Sequence, residues 1–124
     1  MADKLPEKQD MKKSTADPDR GSEVHEVPIE AKEHWRKGNA LFEESKFEDA
    51  VKEYNEAMRI DSKYADAYFN RALTERLMQD YTAAKKDLEY VMELQPKSPD
   101  APLLIGDIAE SNNDYIGARY WYER

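Results

Sequence analysis

Beginning at residue 31, the sequence repeats itself every 34 residues, and that period constrains the fold more than any other feature. Gly38, Ala72 and Gly106 stand one period apart, as do Phe47, Tyr81 and Tyr115, and again Ala50, Ala84 and Ala118. Tyr54, Leu88 and Tyr122 form a fourth column, and the pairs Ala57–Val91 and Ile60–Leu94 extend the match. Independent columns at one fixed interval arise when each period is a single supersecondary unit that buries its apolar face against the next copy.

Each period holds two helical patterns. Trp35, Gly38, Leu41 and Phe42 recur at helical spacing among Lys32, Glu33, Arg36 and Lys37. Phe47, Ala50, Val51, Tyr54, Ala57, Met58 and Ile60 then form a stripe with steps of three and four. The second period answers with Tyr68, Ala72, Leu73 and Leu77, followed by Tyr81, Ala84, Leu88, Val91 and Leu94. Polar breaks at Ser45-Lys46, Gln79-Asp80 and Asn112-Asn113-Asp114 divide the helices, and Pro96 blocks continuation between the second and third units. The spacing predicts helices over 31–44, 47–60, 64–78, 81–94, 101–112 and 115–124. Only four glycines and no strand-like runs of Val, Ile and Thr point away from a β-rich fold. Glycine in mid-helix costs about 1 kcal/mol relative to alanine. The small column Gly38, Ala72, Gly106 therefore predicts close approach of the partner helix, with Ala50, Ala84 and Ala118 doing the same from the opposite side.

These columns resemble the tetratricopeptide repeat, a 34-residue helix–turn–helix unit. The resemblance implies an all-α, right-handed α-solenoid with two full repeats, 31–64 and 65–98, and a truncated third, 99–124. The family's small residue at position eight falls on Gly38, Ala72 and Gly106. Its alanine at position 20 falls on Ala50, Ala84 and Ala118, and its aromatic at position 24 on Tyr54, Leu88 and Tyr122. The early tryptophan is replaced by His34, Tyr68 and Pro102, and the proline at position 32 is Pro96 in the second unit but Ser62 in the first. The third unit stops at Arg124 with Trp121 and Tyr122 on an unfinished helix, so a longer array or self-association through 115–124 is expected to cover that end.

Family members bind peptides or partner proteins in the concave groove of their first helices. Carried over by position, the groove here comprises Lys32, Trp35, Asn39, Phe42 and Glu43, then Asp66, Phe69, Asn70, Leu73, Arg76 and Leu77, then Asp100, Leu103, Leu104, Asp107, Glu110 and Ser111. Glu43, Asp66, Asp100, Asp107 and Glu110 outnumber Lys32 and Arg76, so such a groove attracts cationic partners and slows anionic ones. One subfamily clamps the C-terminal carboxylate of chaperones through two asparagines and three cations. Asn39 and Asn70 match it, but Trp35, Asp100 and Leu104 stand at the cationic positions. A carboxylate leaving water needs those cations, so a co-chaperone clamp ranks second to a general protein-binding module. A self-assembling scaffold ranks third.

The remaining sequence narrows the function by exclusion. The net charge of −8 offers no basic face for nucleic acid or anionic membranes. No apolar run reaches the length of a membrane span, and the polar start around Pro6 lacks the core of a signal peptide. Lack of cysteine rules out thiolate chemistry and Cys-based zinc sites, and His25 and His34 have no companions for a metal or a general base. The expectation is a cytoplasmic, non-catalytic chain without cofactors. Residues 1–30, with Pro6, Pro18, Pro28 and Gly21, bury too little apolar surface to offset ordering and read as a disordered leader. Its one exception is the Val24–Ile29 stretch, where Val24, Val27 and Ile29 are placed to lie against the first helix.

Overall fold

The chain is described by a computed structural model over residues 25–112 and 114–123. Of the disordered leader expected over 1–30, residues 1–24, Val24 among them, lie outside the described residues, and residues 25–30 are described. Six helices follow in order: α1 (Ile29–Glu43), α2 (Phe47–Ile60), α3 (Ala65–Leu77), α4 (Tyr81–Leu94), α5 (Asp100–Ser111) and α6 (Tyr115–Tyr122). No strand occurs among the described residues. Packing is strongest within the pairs α1–α2, α3–α4 and α5–α6, weaker across α2–α3 and α4–α5, and α1 also touches α3. That is the nearest-neighbour pattern of a stack in which each hairpin buries its apolar stripe on the next.

The second-helix boundaries match the sequence reading to the residue at 47–60 and 81–94, whereas the first helix begins two residues early, at Ile29. Pro28 sets this start. It lies at φ −58°, ψ 149°, and its carbonyl accepts the Lys32 amide at 3.1 Å. The segment before it is anchored. Val27 packs beside Ala31, Ala57, Met58, Tyr64 and Ala67, and His25 Nε2 lies 2.7 and 2.8 Å from the two carboxylate oxygens of buried Asp61. Ile29, expected to lie against the helix, instead points to solvent at 72% exposure.

The turns inside the hairpins end α1 and α3 in the same way. The amide of Ser45 bonds to Phe42 O and that of Lys46 to Leu41 O, and Gln79 to Arg76 O and Asp80 to Glu75 O repeat the scheme one period later. Both Ser45 (φ 62°) and Gln79 (φ 66°) therefore sit in the left-handed region that this helix stop requires. A side chain there is strained, where glycine would not be. Ser45→Gly and Gln79→Gly are each expected to stabilise the fold by about 1 kcal/mol, read as a rise in the urea midpoint. A fall at either position would contradict the strain.

Two buried clusters run along the stack. One joins Ala31, Ala57, Met58, Tyr64 and Ala67, with Trp35 and Tyr68 beside it. The other joins Ala72, Ala84, Leu88, Val91, Ala101, Leu104, Ile105 and Ile108, with Phe69, Leu73 and Trp121 beside it. Trp121, expected to be left uncovered, docks on this second cluster, and Ala118 is buried. Tyr120 and Tyr122 of the same helix remain 50% and 39% exposed.

The small column makes room for a side chain of the partner helix. A Cβ added at Gly38 would lie 2.5 Å from Cε1 and 2.7 Å from Cδ1 of Tyr54. The partner helix of the same unit thus reaches Gly38 through the aromatic ring of Tyr54. Gly106 faces Tyr122 in the same way. In the middle unit Ala72 stands where Leu88 replaces the tyrosine, so the two columns change size together.

Candidate functional site

The first helices α1, α3 and α5 present one face that the second helices do not cover. Along it Lys32, Asp66 and Asp100 are exposed, and Leu77 and Leu103 are each 50% exposed despite being apolar. Trp35, Asn39, Phe42, Phe69, Asn70, Leu73, Arg76 and Asp107 are half-buried on the same helices. Leu77 and Leu103 are the large aliphatic side chains exposed on the interior of this face, apart from Ile29 at the start of α1.

Several expected groove residues turn out to serve packing as well. The Trp35 ring lies 5.9 Å from the Tyr64 ring, and its Nε1 donates to Asn70 Oδ1 at 3.1 Å. Trp35 therefore ties α1 to α3. Asn39 Oδ1 accepts from the Tyr54 hydroxyl at 2.6 Å. Both asparagines thus have their carbonyl oxygens engaged by aromatic side chains. Phe42 stacks at a tilt 5.7 Å from Phe47, next to the turn. Phe69 and Leu73 lean on the second cluster. Leu104 is a correction. Placed in the groove by position, it is 6% exposed and belongs to the core.

In the third unit the chemistry turns acidic. Tyr122 Oη donates towards Asp107 Oδ1 at 2.6 Å and Glu110 Oε1 at 2.9 Å. The proton shared with Asp107 holds the phenol well above its usual value, and Glu110 adds to this. The same two repeat positions in the first unit carry Tyr54 and neutral Asn39, whereas the middle unit has Leu88 and Leu73. Among the described residues no ion pair involves Asp66, Asp100, Asp107 or Glu110.

A polar network between α3 and α4 escaped the sequence reading. Arg71 donates through Nε to Asp87 Oδ2 at 2.8 Å and through Nη2 to Asp87 Oδ1 at 2.5 Å, while Nη1 reaches Asn55 Oδ1 at 2.7 Å. That bidentate bond raises the guanidinium's affinity for its proton. Glu75, one turn along, approaches Arg71 Nε at 3.4 Å, but its Oε1 is buried without a hydrogen-bond partner. Burial, and then Asp87 beside it, push the Glu75 carboxyl up to about 9. In sequence Glu75 and Asp87 are two acids among many on charged helices, and only the packing of α3 on α4 singles them out. No cluster of three or more metal-ligating side chains occurs among the described residues, and no described helix is long and apolar enough to cross a membrane.

Two family models match the chain, one described as TPR repeat over residues 38–74 and one as tetratricopeptide repeat over residues 69–124. Among curated relatives, Hsp70-Hsp90 organizing protein 1 of Glycine max is 39% identical over 95 residues, covering 77% of this chain and 17% of the relative. Sperm-associated antigen 1 of Rattus norvegicus is 33% identical over 64 residues, covering 52% of this chain and 7% of the relative. The chain thus spans only a small part of the curated relatives it matches. Among solved structures, the second TPR of Spaghetti (RPAP3) bound to the HSP90 peptide SRMEEVD is 25% identical with a TM-score of 0.71, covering 77% of this chain and 88% of that one. The Arabidopsis OM64 TPR domain is 26% identical with a TM-score of 0.72, covering 76% and 78%.

Proposed function

The chain belongs to the tetratricopeptide-repeat family over residues 38–124, and from that premise we propose that it is a non-catalytic binding module holding a segment of a partner protein along α1, α3 and α5. The observation that carries this reading is the open apolar face, with Leu77 and Leu103 half-exposed on consecutive first helices and Phe69 and Leu73 behind them. Exposed leucines at fixed helical positions gain about 25 cal/mol per Å² when a ligand covers them. Exposed Asp66 and Asp100 at the rim supply register and rate. Residues 31–124 act as one unit in this reading.

The second reading is a co-chaperone adaptor, favoured by the Hsp70-Hsp90 organizing relatives and by the RPAP3 domain solved with SRMEEVD. Against it stand the three clamp positions that lack a cation. Trp35 is turned to Asn70, Asp100 is exposed and acidic, and Leu104 is buried.

Peptide arrays followed by calorimetry test the main reading. Leu77→Glu and Leu103→Glu are each expected to weaken binding of the selected peptides by about tenfold or more, on the order of 1.4 kcal/mol. Exposed Lys52→Glu, on a second helix, should leave affinity unchanged. Helical circular dichroism should match the parent in all three. Equal affinity for the leucine variants and the parent would remove the groove from the account.

A further inference from the structure

Resting on the groove reading above, we propose that the occupant of this face is a basic–apolar protein segment, with aliphatic side chains against Leu77 and Leu103 and a Lys or Arg beside Asp107 and Glu110. On α5 the residues Asp100, Leu103, Asp107 and Glu110 follow one another at steps of three and four, so a single helix stripe offers an acid, an exposed leucine and two further acids. The leucine is 50% exposed, and among the described residues none of these acids has an ion-pair partner.

The distribution of charge fixes the direction of the ligand. Asp107 and Glu110 both approach the Tyr122 hydroxyl, which has one proton to donate. One carboxylate is therefore always left facing an oxygen lone pair, and an incoming ammonium or guanidinium group relieves that opposition. The equivalent place in the first unit is neutral, with Asn39 accepting from Tyr54, and Lys32 lies exposed on the same helix. The basic end of the ligand belongs at α5 and its apolar part toward α3. An acidic C-terminal peptide meets the reverse of what it needs, since Asp100 occupies one cationic position and Leu104 has left the surface at another.

Exposed ion pairs contribute only about 0.2–1 kcal/mol each. The leucines thus supply most of the affinity, and the acids supply discrimination and association rate. The test uses the full chain and fluorescence anisotropy with a leucine–lysine probe peptide, its leucine–glutamate counterpart, and SRMEEVD. At low salt the lysine probe is expected to bind about tenfold tighter than the glutamate probe. The gap should narrow at high salt, where exposed charges are screened. The milder pair Asp107→Asn with Glu110→Gln, which keeps acceptors for Tyr122, should abolish the gap, and Asp107→Lys with Glu110→Lys should reverse it. Lysine and glutamate probes that bind equally, or a preference for SRMEEVD, would overturn the charge assignment while leaving the groove as a binding site. Failure of every probe to bind would overturn both readings.

Discussion

Gly38→Ala is expected to lower the melting temperature by roughly 10 °C, corresponding to about 2 kcal/mol for a domain of this size. Alanine is the better helix former by about 1 kcal/mol, so propensity alone predicts the opposite sign. The added methyl would sit 2.5 Å from the Tyr54 ring, and that ring cannot move aside. Tyr54 is fully buried, and its hydroxyl is fixed to Asn39 at 2.6 Å. Overpacking of this kind costs about 1–3 kcal/mol beyond any local gain. The middle unit shows the remedy, because Ala72 and Leu88 hold the two equivalent positions there and share one buried cluster. Adding Tyr54→Leu to Gly38→Ala should therefore recover most of the loss, and the two changes should be strongly non-additive in a double-mutant cycle. Gly106→Ala should cost less, since Tyr122 is 39% exposed whereas Tyr54 is fully buried. Thermal melts of the four variants decide this. A Gly38→Ala protein as stable as the parent would contradict the ring contact.

The second large effect is a pH dependence centred on Glu75. In the unfolded chain this carboxyl ionises near its ordinary value of about 4.3, whereas in the fold it keeps its proton up to about 9, because burial and Asp87 disfavour its charge. The folded state therefore binds the extra proton. Glu75's contribution is fully present below the ordinary carboxylate range and is lost progressively as pH rises to about 9. Glu75→Gln removes the titration while keeping the shape. At pH 5 the variant and the parent should melt close together. At pH 9 the variant should be the more stable by an amount on the order of 2 kcal/mol, near 10 °C. Subtracting one melting curve from the other cancels the general effect of the chain's −8 net charge. Parallel curves from pH 5 to 9 would show that Glu75 is ionised and hydrated in the fold.

The sequence by itself determined the unit length, the helix pairs and the faces they bury. These follow from spacing along one chain, since side chains three and four apart must share a helix face and a fixed period must stack on itself. It placed α2 and α4 to the residue, whereas the groove positions Leu77, Leu103 and Asp107 came from the family resemblance. What it could not determine depends on contacts between residues that are distant in sequence or on how far a side chain is withdrawn from solvent. Gly38 reads as a space for the partner helix, but that the ring of Tyr54 fills it, so that the two columns must change together, is shown only by tertiary packing. Leu104 and Leu103 are adjacent and equally apolar, but packing buries the first in the core and leaves the second half-exposed. Glu75 resembles any acid on a charged helix until α4 brings Asp87 against it, because the cost of a buried charge is set by what surrounds the group and not by the group itself.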